Sequence, residues 1–405
     1  MTVTVPARAA AHRDPNVVRW LGAYTASVTG DVVYFTALTW AVAAAAGPAA
    51  AGLVLAAGAV PRAVLMLGGG VLADRFGPRR VLIGSDLVRC LTVLAAAAVT
   101  YANGPGIAVL CVLAVCFGVA DALFLPAVGA LPPLLTAPGQ LTRVQGLRSL
   151  AVRLANTAGP FAAGAALAAG GAATAFTGVG VLFAVSLVLL VALRVPAAPT
   201  ARTEGNARSE LRDGLRYLRG RPRLVRLVAV IGLGEMCFSG PVGSALVLLT
   251  GERGWGPGTL SLLLGAFSVA GAAVGIALTA LPRVPRVGTL LAACLLVTAV
   301  LVTALGLTRP APGVAVTLCA LLGAASGIPM ILGHALLQQW TEPGYVGRVT
   351  SVTSLCTLGL GPFLFPLLGL VADAWGTGAF LAGCGAVCLL AAALAASPLL
   401  RATPP

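Results

Sequence analysis

The chain has 405 residues, 59% of them hydrophobic and only 9% charged, where soluble proteins carry about 25% charged residues. That balance excludes a soluble globular protein of this length and points to a polytopic membrane protein. The net charge of +14 would suit a nucleic-acid partner, but its distribution excludes that reading.

Twelve apolar runs follow one another, at roughly 18–45, 50–73, 80–101, 106–130, 146–169, 174–195, 223–249, 257–281, 287–308, 312–336, 348–372 and 377–396. Each is long enough to cross a hydrocarbon core about 30 Å thick at about 1.5 Å per residue; they are numbered spans 1 to 12. All 26 basic residues are arginine; counting those within four residues of a span end with the adjoining loop, 21 fall in one set of loops and tails, two in the opposite set and three deeper inside spans. This positive-inside bias predicts cytoplasmic termini and an even number of spans. The tail 1–17 lacks an apolar core and does not read as a cleavable signal peptide. Residues 18–195 and 223–397 make two six-span halves, joined by a cytoplasmic middle loop at 196–222 and followed by a tail at 398–405.

Inside the middle loop Leu211, Leu215 and Leu218 recur at helical spacing beside Arg212, Arg216 and Arg219. They predict a short helix lying on the cytoplasmic leaflet and anchored by anionic lipid. The nine cysteines all lie in apolar runs and read as small buried hydrophobes. Cys384 and Cys388 have no third ligand nearby, so packing is expected there and no metal site. No cofactor-binding pattern is present, and a nucleotide-binding loop of G-x4-G-K-[ST] type is missing.

The halves repeat. Arg19 precedes Asp31 by twelve residues and Arg223 precedes Glu235 by twelve, which sets both carboxylates about 18 Å from the arginine at the membrane edge. Parallel repeats of this kind imply two halves related by an axis along the membrane normal. Between spans 2 and 3 lies Gly70-Val71-Leu72-Ala73-Asp74-Arg75-Phe76-Gly77-Pro78-Arg79-Arg80. Gly77 supplies a backbone free to take positive φ in a tight hairpin. Asp74 closes one helix, and Arg79 and Arg80 open the next.

This spacing, G-x-L-A-D-R-x-G-x-R-R, resembles the cytoplasmic loop between helices 2 and 3 of the major facilitator superfamily. Residues Gly369 to Gly376 echo it after span 11. Span 5 carries Gly146, Ala155, Gly159-Pro160 and Ala163-Gly164, similar to the helix 5 pattern of drug:proton antiporters with alanine for two glycines. Ser27-Val28-Thr29-Gly30-Asp31 and Gly347-Arg348-Val349 look like the exporter branch that includes enterobactin and macrolide efflux proteins. The resemblance implies an all-α polytopic membrane protein, with twelve transmembrane helices in two pseudo-symmetric six-helix halves. It also implies a gating motif of Gly70, Asp74, Arg75, Gly77, Arg79 and Arg80, holding the cytoplasmic side closed against the start of span 11 and Arg348. Two departures stand out: Pro78 replaces a usually polar residue, and span 4 carries Asp121 where many antiporters have an arginine.

Charges inside spans cost roughly 2.5–3.5 kcal/mol each on insertion scales, so each needs a reason. Asp86 and Arg89, at i, i+3 on span 3, are expected to pair and merely fix that helix. Arg153 is open between snorkelling and function. Asp31 and Glu235 are the proton- or substrate-binding candidates, because a carboxylate held in a transport cavity can take up and release protons. Asp121 is open between that role and a pair with Arg62, and Arg62 is also a possible partner of Asp31. His334 is expected to be a hydrogen-bonded packing residue.

The expected function is a monomeric secondary transporter of the cytoplasmic membrane, not an enzyme, exporting small apolar molecules in exchange for protons by alternating access. Uptake or facilitated transport of a small metabolite and a binding-only sensor or immunity protein are the alternatives. An integral-membrane enzyme is disfavoured: the two histidines, His12 and His334, leave no catalytic cluster. The orientation is directly testable. On a cysteine-free background, a cysteine at Ser209 should label only from the cytoplasm and one at Asn103 only from outside; an external Ser209 would overturn the topology.

Overall fold

The computed structural model describes residues 14–136, 140–193, 207–238, 240–280, 287–342 and 345–401. Within these, the side chains of residues 66–75, 125, 133, 141–142, 207–211, 279–280, 351, 358, 399 and 401 lie outside the description. Among the described residues the chain forms helices and no strands. Ten helical runs among the described residues are long and apolar enough to cross a membrane, and two of them are doubled. Helix α1 (Pro15–Phe76) has 62 residues; straight, it would be about 93 Å long, three times the hydrocarbon core. Gly47 breaks it with φ 81° and ψ 179°, a backbone state that glycine adopts freely and other residues do not. Helices α2 (Pro78–Asn103), α3 (Ile107–Ala130) and the one-turn α4 (Pro132–Leu135) follow, and then α5 (Leu141–Val191) is broken at Gly170 and Gly171. Spans 1 and 2 thus lie in α1 and spans 5 and 6 in α5, so ten runs make twelve passes.

In the second half, two predicted spans divide. Span 7 is α7 (Pro222–Met236) followed by α8 (Pro241–Glu252), and span 11 is α12 (Val346–Leu358) followed by α13 (Gly361–Trp375). Each break falls at a Gly-Pro pair, Gly240-Pro241 and Gly361-Pro362. Proline has no N–H to donate and its ring crowds the preceding turn. Spans 8, 9, 10 and 12 are α9 (Pro257–Ala280), α10 (Val287–Leu307), α11 (Pro312–Trp340) and α14 (Thr377–Ala395), with a last turn, α15 (Pro398–Arg401).

The middle-loop helix forms as α6 (Ala207–Arg219), but the protein holds it by a face that the leucine spacing marked only at Leu218. Tyr217 and Leu218 are buried while Leu215 is exposed. Tyr217 stacks on Tyr345 at 4.1 Å, and its hydroxyl accepts a hydrogen bond from the Glu342 backbone N–H at 3.1 Å. Arg221, which pairs with Glu342, lies over the same ring at 3.7 Å. The helix is docked on the start of span 11 rather than laid on lipid alone.

Packing places the opening of the molecule. On the side that carries Val17 and Leu400 the core is two separate clusters, one around Trp20, Phe124 and Leu190 and one around Leu227, Leu291 and Val349. On the opposite side a single cluster runs through both halves. Two pseudo-equivalent contacts close that side. A Cβ on Gly52 of span 2 would lie 2.4 Å from the Phe365 carbonyl and 2.8 Å from the Gly369 Cα of span 11; one on Gly164 of span 5 would lie 2.8 Å from the Pro257 carbonyl of span 8. Helices pack this closely in a membrane where small residues let backbones touch. The halves therefore meet away from Val17 and Leu400 and part towards them. Gly52→Val should favour the arrangement with the Gly52–Gly369 contact broken. Spin labels at positions 46 and 375 should then report longer distances than in the parent; an unchanged distribution would show that this contact does not set the closure.

Candidate functional site

Between the halves lies a cavity of about 880 Å³, lined by both and reaching from mid-membrane residues to Gln145 and Arg148 at the start of α5. Its volume falls within the range of sites that hold drug-sized molecules, about 300–1,000 Å³. Span 7 reaches it at Glu235 and Met236, just before the break at Gly240-Pro241, and span 11 at Gly359 and Gly361.

The first half carries a buried ionic cluster behind this cavity. The Arg89 side chain is fully buried. It pairs with Asp86 on its own helix, with Asp31 of span 1 at 3.0 Å and with Asp121 of span 4 at 3.6 Å, and it donates to Ser27 Oγ at 2.8 Å. Asp86 also accepts a hydrogen bond from Ser186 of span 6. The guanidinium lies over the Phe124 ring at 4.0 Å and the Phe183 ring at 4.6 Å, where cation–π attraction offsets part of its lost hydration. Asp121 reaches forward to Arg62 of span 2 at 2.9 Å, and both line the cavity. Local sequence explains that short distance. One turn earlier Gly58 and Gly118 let spans 2 and 4 touch, a Cβ on Gly118 lying only 2.0 Å from the Gly58 carbonyl.

Asp86 and Arg89 do pair, but they do more than fix span 3: Arg89 joins spans 1, 3 and 4. Asp31 is held by Arg89, and Arg62 is the partner of Asp121. In the second half Glu235 lines the cavity, and His334 Nδ1 of span 10 lies 3.2 Å from its Oε1. The same Nδ1 is 2.9 Å from the Met330 carbonyl, so the histidine expected only to pack is in contact with a candidate carboxylate. A signal for Arg89 was present. A guanidinium has five N–H donors, and one i, i+3 carboxylate cannot occupy them. For His334, 99 residues from Glu235, no linear pattern pointed to the contact.

The remaining candidates are dispersed. Gly77 has φ 84° in the turn between α1 and α2, and Arg79 donates to the Leu190 and Val191 carbonyls at 3.3 and 2.7 Å, capping the end of α5. Arg80 is exposed. The side chains of Asp74 and Arg75, and the surroundings of Gly70, lie outside the described residues. Arg348 lies over Tyr345 at 5.2 Å. In span 5, Gly146 is exposed, while a Cβ on Gly159 would stand 2.7 Å from Val32 of span 1. Gly164 makes the inter-half contact described above, and Pro160 lines the cavity.

The family model of the Major Facilitator Superfamily matches residues 20–313. No curated protein matches the sequence. Among solved structures, the POT family transporter PepTSo is similar with a TM-score of 0.72 at 12% identity, covering 95% of this chain and 97% of that one. The nucleoside transporter NupG is similar with a TM-score of 0.69 at 13% identity, covering 93% and 97%. At such identities the likeness is one of fold.

The cluster predicts a graded response to substitution. Arg89→Ala removes the cation shared by three carboxylates, two of them buried, and should cost about 3–5 kcal/mol, read as a collapse in yield of monodisperse protein. Asp31→Asn leaves Arg89 with two carboxylates and should fold. Equal yields for the two variants would refute the central place of Arg89.

Proposed function

The chain belongs to the major facilitator superfamily, and from that membership we propose a proton-coupled exporter of small, largely apolar molecules that works by alternating access. The observation that carries the proton coupling is a charge mismatch. Asp31, Asp86 and Asp121 share two guanidiniums, Arg62 and Arg89. With all five ionised, one negative charge is left over in a site where net charge is costly. A proton neutralises it. Asp31 is the carboxylate best placed to take that proton, since its side chain is 22% exposed against 0% for Asp86 and 4% for Asp121. Glu235, on the cavity wall, forms a second protonatable pair with His334.

Alternating access draws support from the packing: contact at one end and separation at the other is one of two arrangements that rocking halves exchange. We propose that the open side, which bears Val17 and Leu400, is cytoplasmic. On closure the turn at 70–80 moves against the start of α12 and Arg348, where Asp74 meets the positive end of that helix. Export rather than uptake rests on the small residues of span 5, Gly159 and Gly164, which serve the close contacts expected of an antiporter-type helix 5.

Two experiments test these steps. In proteoliposomes, Asp31→Asn and Glu235→Gln are compared for proton movement and drug efflux; at least one should lose proton-driven transport while remaining folded. Unaltered proton coupling in both would sink the carboxylate mechanism. Separately, Asp74→Asn should express normally and strongly reduce transport, because it removes one contact from a two-state equilibrium. Normal rates in that variant would remove Asp74 from the gate.

A further inference from the structure

We propose that the cavity is built for organic anions: an apolar body with a carboxylate or other oxyanion at one end, bound by Arg148 and Arg153. The proposal rests on reading this cavity as the substrate site.

Among the described residues three arginines line the cavity, Arg62, Arg148 and Arg153. Arg62 is matched by Asp121 at 2.9 Å. Neither of the other two pairs with a carboxylate among the described residues. Among the described residues the carboxylates that line the cavity are Asp121 and Glu235; the first is shared by Arg62 and Arg89, and the second is in contact with His334. Arg148 and Arg153 belong to one polar face of span 5, with Gln145, Ser149 and Asn156, at the three- and four-residue spacing that aligns side chains along a helix. The ladder descends from the mouth of the cavity into the membrane.

Neither arginine is accounted for by snorkelling. The Arg148 guanidinium lies over the Tyr24 ring at 5.1 Å. That of Arg153 crosses to the other half and fills the space a side chain would take at Gly275 of span 8, where a Cβ would come within 2.2 Å of its Nη1. A planar guanidinium on a cavity wall, with donors left over, is the group that best matches a carboxylate or phosphate in a two-pronged contact. The facing wall suits the rest of such a molecule, for it presents Met236, Phe238, Phe267, Met330 and Phe365, with Phe238 and Phe267 stacked at 6.2 Å. A cationic ligand of the same shape meets two positive charges at the ladder and one carboxylate, already engaged, across from it.

Three probes with one aromatic body separate the possibilities: 2-naphthylacetate, its neutral amide and 2-naphthylethylamine. Equilibrium dialysis against the purified full chain in detergent, with no proton gradient, should give an affinity for the acid about tenfold or more above that for the amide, with the amine weakest. Arg148→Gln and Arg153→Gln should each lower binding of the acid by about tenfold while leaving the amide unchanged. Gly275→Leu keeps every charge but displaces the Arg153 guanidinium, and should weaken the acid selectively as well. The proposal is overturned if the amine binds most tightly, if all three bind equally, or if the acid fails to bind at millimolar concentration. Proton coupling is read by transport in vesicles, so either result can fail without the other.

Discussion

A single guanidinium, that of Arg89, holds the first half together from a position that water does not reach. Its surroundings hold three carboxylates, a serine hydroxyl and two close phenyl rings. In such a place a charge is tolerated only while its partners stay within hydrogen-bonding distance. The backbone contacts follow from that demand. Gly58 and Gly118 let spans 2 and 4 touch where Asp121 must reach both Arg62 and Arg89. The cluster is therefore a structural clamp and a charge reservoir at once, and the unequal number of acids and bases links the two roles.

The two halves share a plan and differ in chemistry. Asp31 and Glu235 occupy matching places in the repeat, yet the first meets a permanent cation and the second an imidazole. The first half has continuous spans fastened by ion pairs; the second has spans 7 and 11 divided beside the cavity, with an apolar wall between them. Divided helices give up backbone hydrogen bonds and some stiffness. The second half is thus the one in which shape can adjust, and the first is the one in which charge is kept.

Much of this was legible in the sequence. Apolar run lengths and arginine placement mark twelve passes, and the G-x-L-A-D-R-x-G-x-R-R spacing together with the repeat marks the two-half helical fold. The glycines of span 5 point to close helix contacts, and Gly159 and Gly164 make them. What was not legible depends on which helices become neighbours. Asp86 and Arg89 look self-sufficient when read along one helix, because the spacing shows a pair and hides the oxygens that arrive from spans 1 and 4. His334 looks like packing until span 10 is set beside span 7. Arg153 stays open between snorkelling and function until Gly275 is found beneath it. The divisions of spans 7 and 11 were signalled by Gly-Pro pairs, but total apolar length masked them.

The order of synthesis adds a demand that the finished fold conceals. Asp31 precedes its partner Arg89 by 58 residues, so at about 5–20 residues per second it emerges from the ribosome roughly 3–12 s earlier. Until span 3 enters the bilayer, span 1 has only a proton or nearby water to offset its carboxylate; until span 4 follows, Arg89 lacks Asp121. Biogenesis of the first half is therefore a waiting process. The pairing that fixes its earliest helix forms only once the third has arrived, and the pairing of that third is complete only once the fourth has.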